Sequence, residues 1–161
     1  MITHILVKSL SWVKKFSYNP ESAITPLALI SIRDPESGPY GRVDQLCKIH
    51  PSRSYYFKDV DEDIALANRG YFKFFNEEMA ADIIKFIDII QASPKKMVLL
   101  IHCTAGISRS GAIGEVISDY LGKNYKEFKQ INPQILPNSY VKKIMKNVID
   151  EKTSMIPIQT R

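Results

Sequence analysis

The chain has 161 residues, 45% of them apolar and 24% charged, an ordinary balance for a water-soluble domain that buries a core. Apolar runs stay well short of the roughly 18 residues of a membrane span, and no basic segment precedes the short apolar start, so neither a span nor a secretory signal is expected. The net charge of +5 suits an anionic partner, but the lysines are scattered and not interleaved with aromatics, so nucleic acid is not the expected partner.

Residues 3–7 alternate weakly and predict a first strand. Ser9 to Phe16 has the spacing of a short helix, with Leu10, Trp12, Val13 and Phe16 inward and Lys14 and Lys15 in water. After the break at Asn19-Pro20, Pro26 to Ile32 reads as a second, buried strand. It ends at Arg33-Asp34, expected as a surface ion pair rather than a pocket lining. A Gly/Pro loop (Glu36 to Gly41) leads to a turn of helix from Val43 to Ile49 and an aromatic third strand from Ser54 to Phe57. Asp59 to Phe75, about 17 residues with an acidic start and a turn at Asn68-Arg69-Gly70, predicts a long loop of the kind that is functional or disordered.

Asn76 caps an amphipathic helix with Glu77 and Glu78 in its first turn and Met79, Ile83, Phe86, Ile87 and Ile90 on its buried face. Ser93-Pro94 ends it, and Met97 to Ile101 is an apolar run typical of a strand buried on both faces. A small-residue loop follows, then a helix from Gly111 to Leu121 that Gly122 closes. Tyr125 to Gln130 begins another helix, and Pro137-Asn138 leads into a last one through Tyr140, Ile144, Met145 and Val148. The tail, 152–161, has no periodicity and is expected to be loosely held. Strands interleaved with helices predict an α/β fold, a central sheet of about four or five strands with helices on both faces, in a single domain over residues 1–161.

The strand–loop–helix at its centre carries the chemistry. Such a junction aims successive backbone N–H groups and a helix N-terminus at one point, which binds anions. The sequence places Cys103 at that point and Arg109 six residues later. The positive setting favours a thiolate, and a planar guanidinium matches two oxygens of a phosphate. One loop therefore offers a nucleophile and a phosphate cradle. A cysteine that must stay reduced, in a chain whose other cysteine is Cys47, points to a reducing, cytoplasmic setting. His4, His50 and His102 lack a metal-ligand spacing and two cysteines are too few for zinc, so neither metal nor cofactor is expected.

The string His102-Cys103-Thr104-Ala105-Gly106-Ile107-Ser108-Arg109-Ser110-Gly111 resembles, position by position, the H-C-x-x-G-x-x-R-[ST]-[GA] signature of the cysteine-dependent protein phosphatases. Its A-G-I-S-R-S core is most similar to the dual-specificity branch. The resemblance is firm from about Tyr56 to Tyr140 and loose over the first 50 residues. It implies a central mixed sheet flanked by helices. It also implies a phosphocysteine intermediate on Cys103, with Arg109 and the backbone amides of residues 104–109 (Thr104, Ala105, Gly106, Ile107, Ser108) around the phosphate. Ser110 would assist departure of the thiolate, and His102 would order the loop through hydrogen bonds.

A general acid lies outside the loop. Relatives place it as F-x-D at a strand end, which fits Phe57-Lys58-Asp59; a placement further on would select Asp61 or Asp63, with Glu62 also in the cluster. Asp59 stands 44 residues before Cys103, longer than the family's usual spacing. Pro137-Asn138 resembles the P-N that opens a late helix in dual-specificity members, though no arginine precedes it, and is expected to be structural. Cys47 is expected to be buried packing, with a reversible disulfide to Cys103 as the alternative.

The expected substrate is a phosphorylated protein, at phosphotyrosine and also phosphoserine or phosphothreonine. Lysines that meet extra phosphates in phosphoinositide-acting relatives are missing from the loop. The alternatives are the same chemistry on an RNA 5′-phosphate or a phosphoinositide, a non-catalytic phosphate-binding module, and a sulfur-transfer or arsenate-reducing domain.

Overall fold

Buried apolar strands separated by helical segments cannot pair as hairpins; each needs a crossover that returns the chain to the same end of the sheet. The computed structural model of the chain, which describes residues 1–68 and 73–155, has this plan. Strand β1 (Ile2–Ser9) is followed by α1 (Leu10–Ser17) and the single turn α2 (Glu21–Ile24), and β2 (Leu27–Arg33) by α3 (Arg42–Ile49). After β3 (Ser52–Tyr56) come α4 (Glu62–Ala67) and α5 (Glu77–Ala92); after β4 (Met97–Cys103) come α6 (Arg109–Tyr120), α7 (Tyr125–Ile131) and α8 (Ser139–Ser154).

The fold is α/β, with a four-stranded sheet in the order β1-β4-β2-β3. All three pairings are parallel, in place of the mixed sheet that the resemblance implies. The reason is the connections: α1 with α2, α3, and α4 with α5 each carry the chain back before the next strand starts. Parallel pairing gathers the carboxyl ends of all four strands on one edge. Ser9 lies opposite Cys103, Ser31 opposite His102, and Arg33 opposite Tyr56.

Alternation along the strands divides the core in two. Leu99, Ile101 and Cys103 of β4 face Ile83 and Ile87 of α5, Ile113 and Ile117 of α6, and Ile144 and Met145 of α8. Leu100 faces the other way, with Leu27 and Leu29 of β2, onto Val13 of α1 and Val43 and Leu46 of α3. Trp12, expected inward, is 38% exposed and stacks flat on Phe16 at 5.2 Å. On α5, Asn76 caps as expected, its side chain accepting from the Met79 N–H at 2.9 Å. Gly122 ends α6 in the left-handed region, at φ +62°.

Two helices and one boundary escape the sequence reading. Residues 62–67 of the expected 59–75 loop form α4: its acidic start is the Glu62 and Asp63 of a helical first turn. The expected turn at Asn68-Arg69-Gly70 lies, beyond Asn68, outside the described residues. The one-turn helix α2 is too short to show a period. Helix α8 continues through Ser154, past the residue where the periodicity fades, and residues 156–161 lie outside the described residues. Among the described residues no helix is long and apolar enough to cross a membrane.

Strand β1 is an edge, and its outer backbone groups are satisfied by side chains. Asn132, fully buried, accepts from the Val7 N–H (2.7 Å) and donates to Ile5 O (2.9 Å), while Gln134 Nε2 donates to Val7 O (2.7 Å). Replacing Asn132 with Ala leaves a buried N–H and a buried carbonyl without partners. Urea denaturation of Asn132→Ala should show a loss of about 2–4 kcal/mol.

Candidate active site

Four parallel strands ending on one edge bring four connections together there, and β4 lies between β1 and β2. The connection after β4, residues 104–108, forms a tight loop. Its Gly106 sits at φ +73°, and a Cβ there would come within 2.4 Å of the Lys8 carbonyl carbon and the Ser9 nitrogen. Only glycine fits that backbone, so close to the end of β1.

The loop is fastened from outside through its carbonyls. Leu10 N–H donates to Thr104 O (3.2 Å), Leu136 N–H to Ile107 O (3.2 Å) and Asn138 N–H to Ser108 O (3.3 Å), and the Gln134 side chain to Gly106 O (3.4 Å). A planar trans peptide points its N–H opposite its C=O. Carbonyls turned outward therefore leave the amides of Ala105, Ile107, Ser108 and Arg109 turned inward, toward a common centre. The N-terminus of α6 opens on the same centre. At its floor is Cys103, 2% exposed, whose Sγ receives the Gly106 N–H at 3.3 Å and lies 3.0 Å from Ser110 Oγ.

Arg109 is 4% exposed, and a buried guanidinium must be paired. Its Nη1 is saturated, donating to Asp34 Oδ1 (2.9 Å) and to Phe57 O (2.8 Å). Nη2 makes one long bond, to Thr104 Oγ1 at 3.3 Å. Nε has no hydrogen-bond partner among the described residues. The fork formed by Nε and Nη2 is thus the edge of the guanidinium with donors to spare.

Of the four acids after β3, the structure brings Asp59 to the loop. Its Oδ1 accepts from Ser108 Oγ (2.8 Å) and Asn138 Nδ2 (2.9 Å), and its Oδ2 stands 3.8 Å from Arg109 Nε. Asp61 precedes α4 as its cap residue, Glu62 pairs with Lys143 of α8 at 2.6 Å, and Asp63 is exposed in the first turn of α4. Asn138 does more than open α8: it accepts from Val141 N–H, donates to Asp59 and gives its own N–H to the loop.

Asp34 is not part of a surface ion pair with Arg33. Arg33 turns to the α1/α3 face, 4% exposed, and pairs with Asp44 at 2.5 Å beneath the Tyr40 ring. Burial opposes its charge, and the Asp44 carboxylate outweighs that and raises its pKa. Asp34, one residue later, turns to the loop and touches both Arg109 and Thr104. The signal that could have found it is its place at the end of a strand next to β4. Cys47 and Cys103 are both free thiols on opposite sides of the sheet, and burial raises the Cys47 pKa. Among the described residues no three His, Cys, Asp or Glu side chains are grouped to hold a metal ion.

Neither a family model nor a curated protein matches the chain. Solved structures do. The human tyrosine phosphatase-like serine/threonine/tyrosine-interacting protein is 16% identical, covers 92% of this chain and 93% of its own, and superposes with a TM-score of 0.58. The Yvh1 phosphatase domain from Chaetomium thermophilum is also 16% identical, at 92% of both chains and a TM-score of 0.57. Tk-PTP in its active form is 15% identical over 96% of this chain and 94% of its own, at 0.53. The chain has the dual-specificity and tyrosine phosphatase fold.

Within that phosphatase fold His102 packs behind the loop. It lies on the opposite face of β4 from Cys103, wholly buried. Residue parity explains this: a side chain adjacent to Cys103 in a strand must face away from it. The ring packs near Tyr40, centroids 6.4 Å apart, as support behind the loop. Burial, and then the Arg33 charge, lower its pKa from 6.5 to about 4. Between those values the unfolded chain binds a proton that the folded chain does not, so stability rises with pH across this window and is complete above it. Denaturation of wild type between pH 4 and 6.5 should gain roughly 3 kcal/mol more than His102→Asn gains over the same range.

Proposed function

We propose that this chain is a phosphoric monoester hydrolase that acts on phosphorylated protein, at phosphotyrosine and also phosphoserine or phosphothreonine, through a phosphocysteine intermediate. The observation that supports the reading is that one loop carries the Cys103 sulfur with an amide donating to it and an Arg109 whose Nε/Nη2 edge has donors to spare. A tetrahedral oxyanion with one ester oxygen is the ligand that uses all three. A phosphoryl group held there presents phosphorus to the sulfur and its ester oxygen outward, in line for displacement.

In the first step the thiolate attacks phosphorus while the ester oxygen leaves and takes a proton. Asp59 is the donor in this mechanism. Its Oδ1 already accepts two hydrogen bonds from the neutral donors Ser108 and Asn138, which leaves Oδ2 as the oxygen that hands over the proton in this mechanism. In the second step the Asp59 carboxylate takes a proton from water as that water attacks phosphorus, and the Cys103 thiolate leaves with the Ser110 hydroxyl donating to it. The amides and Arg109 meet charge on the equatorial oxygens in both steps without rearranging. No step asks for a metal or a cofactor, and the thiolate suits a reducing cytoplasmic setting.

The side chains at the loop, Thr104, Ala105, Ile107 and Ser108, bring no second cation, which supports phosphoprotein over a polyphosphorylated lipid or an RNA 5′-phosphate. A binding-only reading has one observation in its favour: a structurally similar protein is named as phosphatase-like and interacting. The presence of both the sulfur and the guanidinium at the centre supports catalysis instead.

Hydrolysis of a phosphotyrosine peptide without added metal tests the proposal. Cys103→Ser should abolish turnover and still bind the peptide, and Arg109→Lys should lose both, because an ammonium cannot make the paired contact. Asp59→Asn should lower kcat by about 10²–10⁴-fold, and less for an aryl ester with a very good leaving group. Turnover of an RNA 5′-phosphate but not of the peptide would replace the substrate assignment.

A further inference from the structure

Asp34 belongs to none of the motifs that describe the loop, yet its carboxylate is shared by the loop's two ends. Oδ2 accepts from Thr104 Oγ1 at 2.9 Å, at the first residue after Cys103. Oδ1 accepts from Arg109 Nη1 at 2.9 Å, at the first residue of α6. Thr104 Oγ1 in turn receives Arg109 Nη2 at 3.3 Å, closing a three-membered ring of side chains. Asp34 itself is fixed by position, one residue past β2, whose pairing to β4 runs through Ser31 opposite His102.

The consequence for Arg109 is rotational. A guanidinium can present either its end, through both Nη atoms, or its side, through Nε and Nη2. Asp34 and the Phe57 carbonyl together take both protons of Nη1, so the end-on mode is closed and the side-on fork is turned to the centre. We propose that Asp34 is a positioning residue: it staples Thr104 to Arg109, fixes the guanidinium side-on, and thereby sets the affinity of the loop for a phosphoryl group. This rests on the phosphate-binding reading of the loop given above. The competing view makes Asp34 a tenant of the anion site that substrate must expel. The two views predict opposite signs for the same variant.

The test measures tungstate binding by calorimetry beside kcat and KM for a phosphotyrosine peptide, on the full chain. Asp34 is 41% exposed, and retention of fold in its variants is checked by circular dichroism. Asp34→Ala should weaken tungstate binding and lower kcat/KM by about 10- to 100-fold, the range expected when a catalytic group is misplaced rather than removed. Thr104→Val cuts one arm of the staple and should give a smaller loss of the same kind. The double variant should be no worse than Asp34→Ala, since both act through one contact. Asp34→Asn, whose amide oxygen can still accept from Arg109, should recover part of the loss.

Tighter tungstate binding or a higher kcat/KM in Asp34→Ala would overturn the proposal in favour of the competing tenant, and unchanged values would overturn it outright. Additive losses in the double variant would also overturn the staple. Should wild type bind tungstate and hydrolyse no phosphopeptide, the hydrolase reading fails, and the tungstate ratios alone decide for or against Asp34.

Discussion

The outward fastening of the loop's carbonyls is the constraint on which the site depends. Amides left to themselves do not converge, because neighbouring N–H dipoles repel and each prefers water. Here Leu10, Gln134, Leu136 and Asn138 hold four carbonyls from two separate parts of the chain, and peptide planarity does the rest. The fold supplies these partners because a parallel sheet gathers the strand ends, while the α7–α8 connection passes across the same edge. Gln134 shows the economy of this arrangement, since the same side-chain nitrogen reaches both Val7 O on the edge strand and Gly106 O in the loop.

The other face of the sheet braces the loop without taking part in it. Buried Arg33 and His102 meet half-buried Asp44 and Tyr40 between β2, β4 and α3, directly behind the strand that carries Cys103. An ion pair in such a place does little for stability by itself, because desolvation offsets the attraction. Its geometry, however, fixes the end of β2, and the next residue along is Asp34. The alternation that sends Arg33 to one face sends Asp34 toward the other, so a buried pair behind the sheet and an ion pair in front of it share one short length of backbone.

What the sequence made legible was local. A ten-residue string named the loop, an apolar run named its strand, and Asn76 and Gly122 marked helix ends by chemistry that acts within a few residues. The same holds for Asp59, whose distance along the chain from Phe57 places it at a strand end. Contacts that depend on register between strands were not legible. Asp34 meets Arg109 across 75 residues, and Asn138 meets Asp59 across 79; the strand end placed Asp34 on the right edge, and only the fold supplies its partner. Helix α4 was hidden for a different reason: an acidic cluster is as good a first turn as it is a solvated loop. The face that His102 takes follows from parity, since its neighbour's orientation fixes its own.

Two carboxylates beside one guanidinium invite the question of how their tasks are divided. Asp34 bonds directly to the cation at 2.9 Å, a charge-assisted contact that is strong and directional. Asp59 stands off at 3.8 Å and hangs instead from a hydroxyl and an amide. Asp34 anchors a buried arginine, whereas both hydrogen bonds to Asp59 reach Oδ1 and leave Oδ2 at 3.8 Å from Arg109 Nε. The carboxylate bound to charge is therefore suited to hold geometry, and the one bound to neutral donors is suited to exchange a proton. On the proposed mechanism the two steps need this division, one carboxylate that stays with Arg109 and one that exchanges a proton with the substrate oxygen and with water.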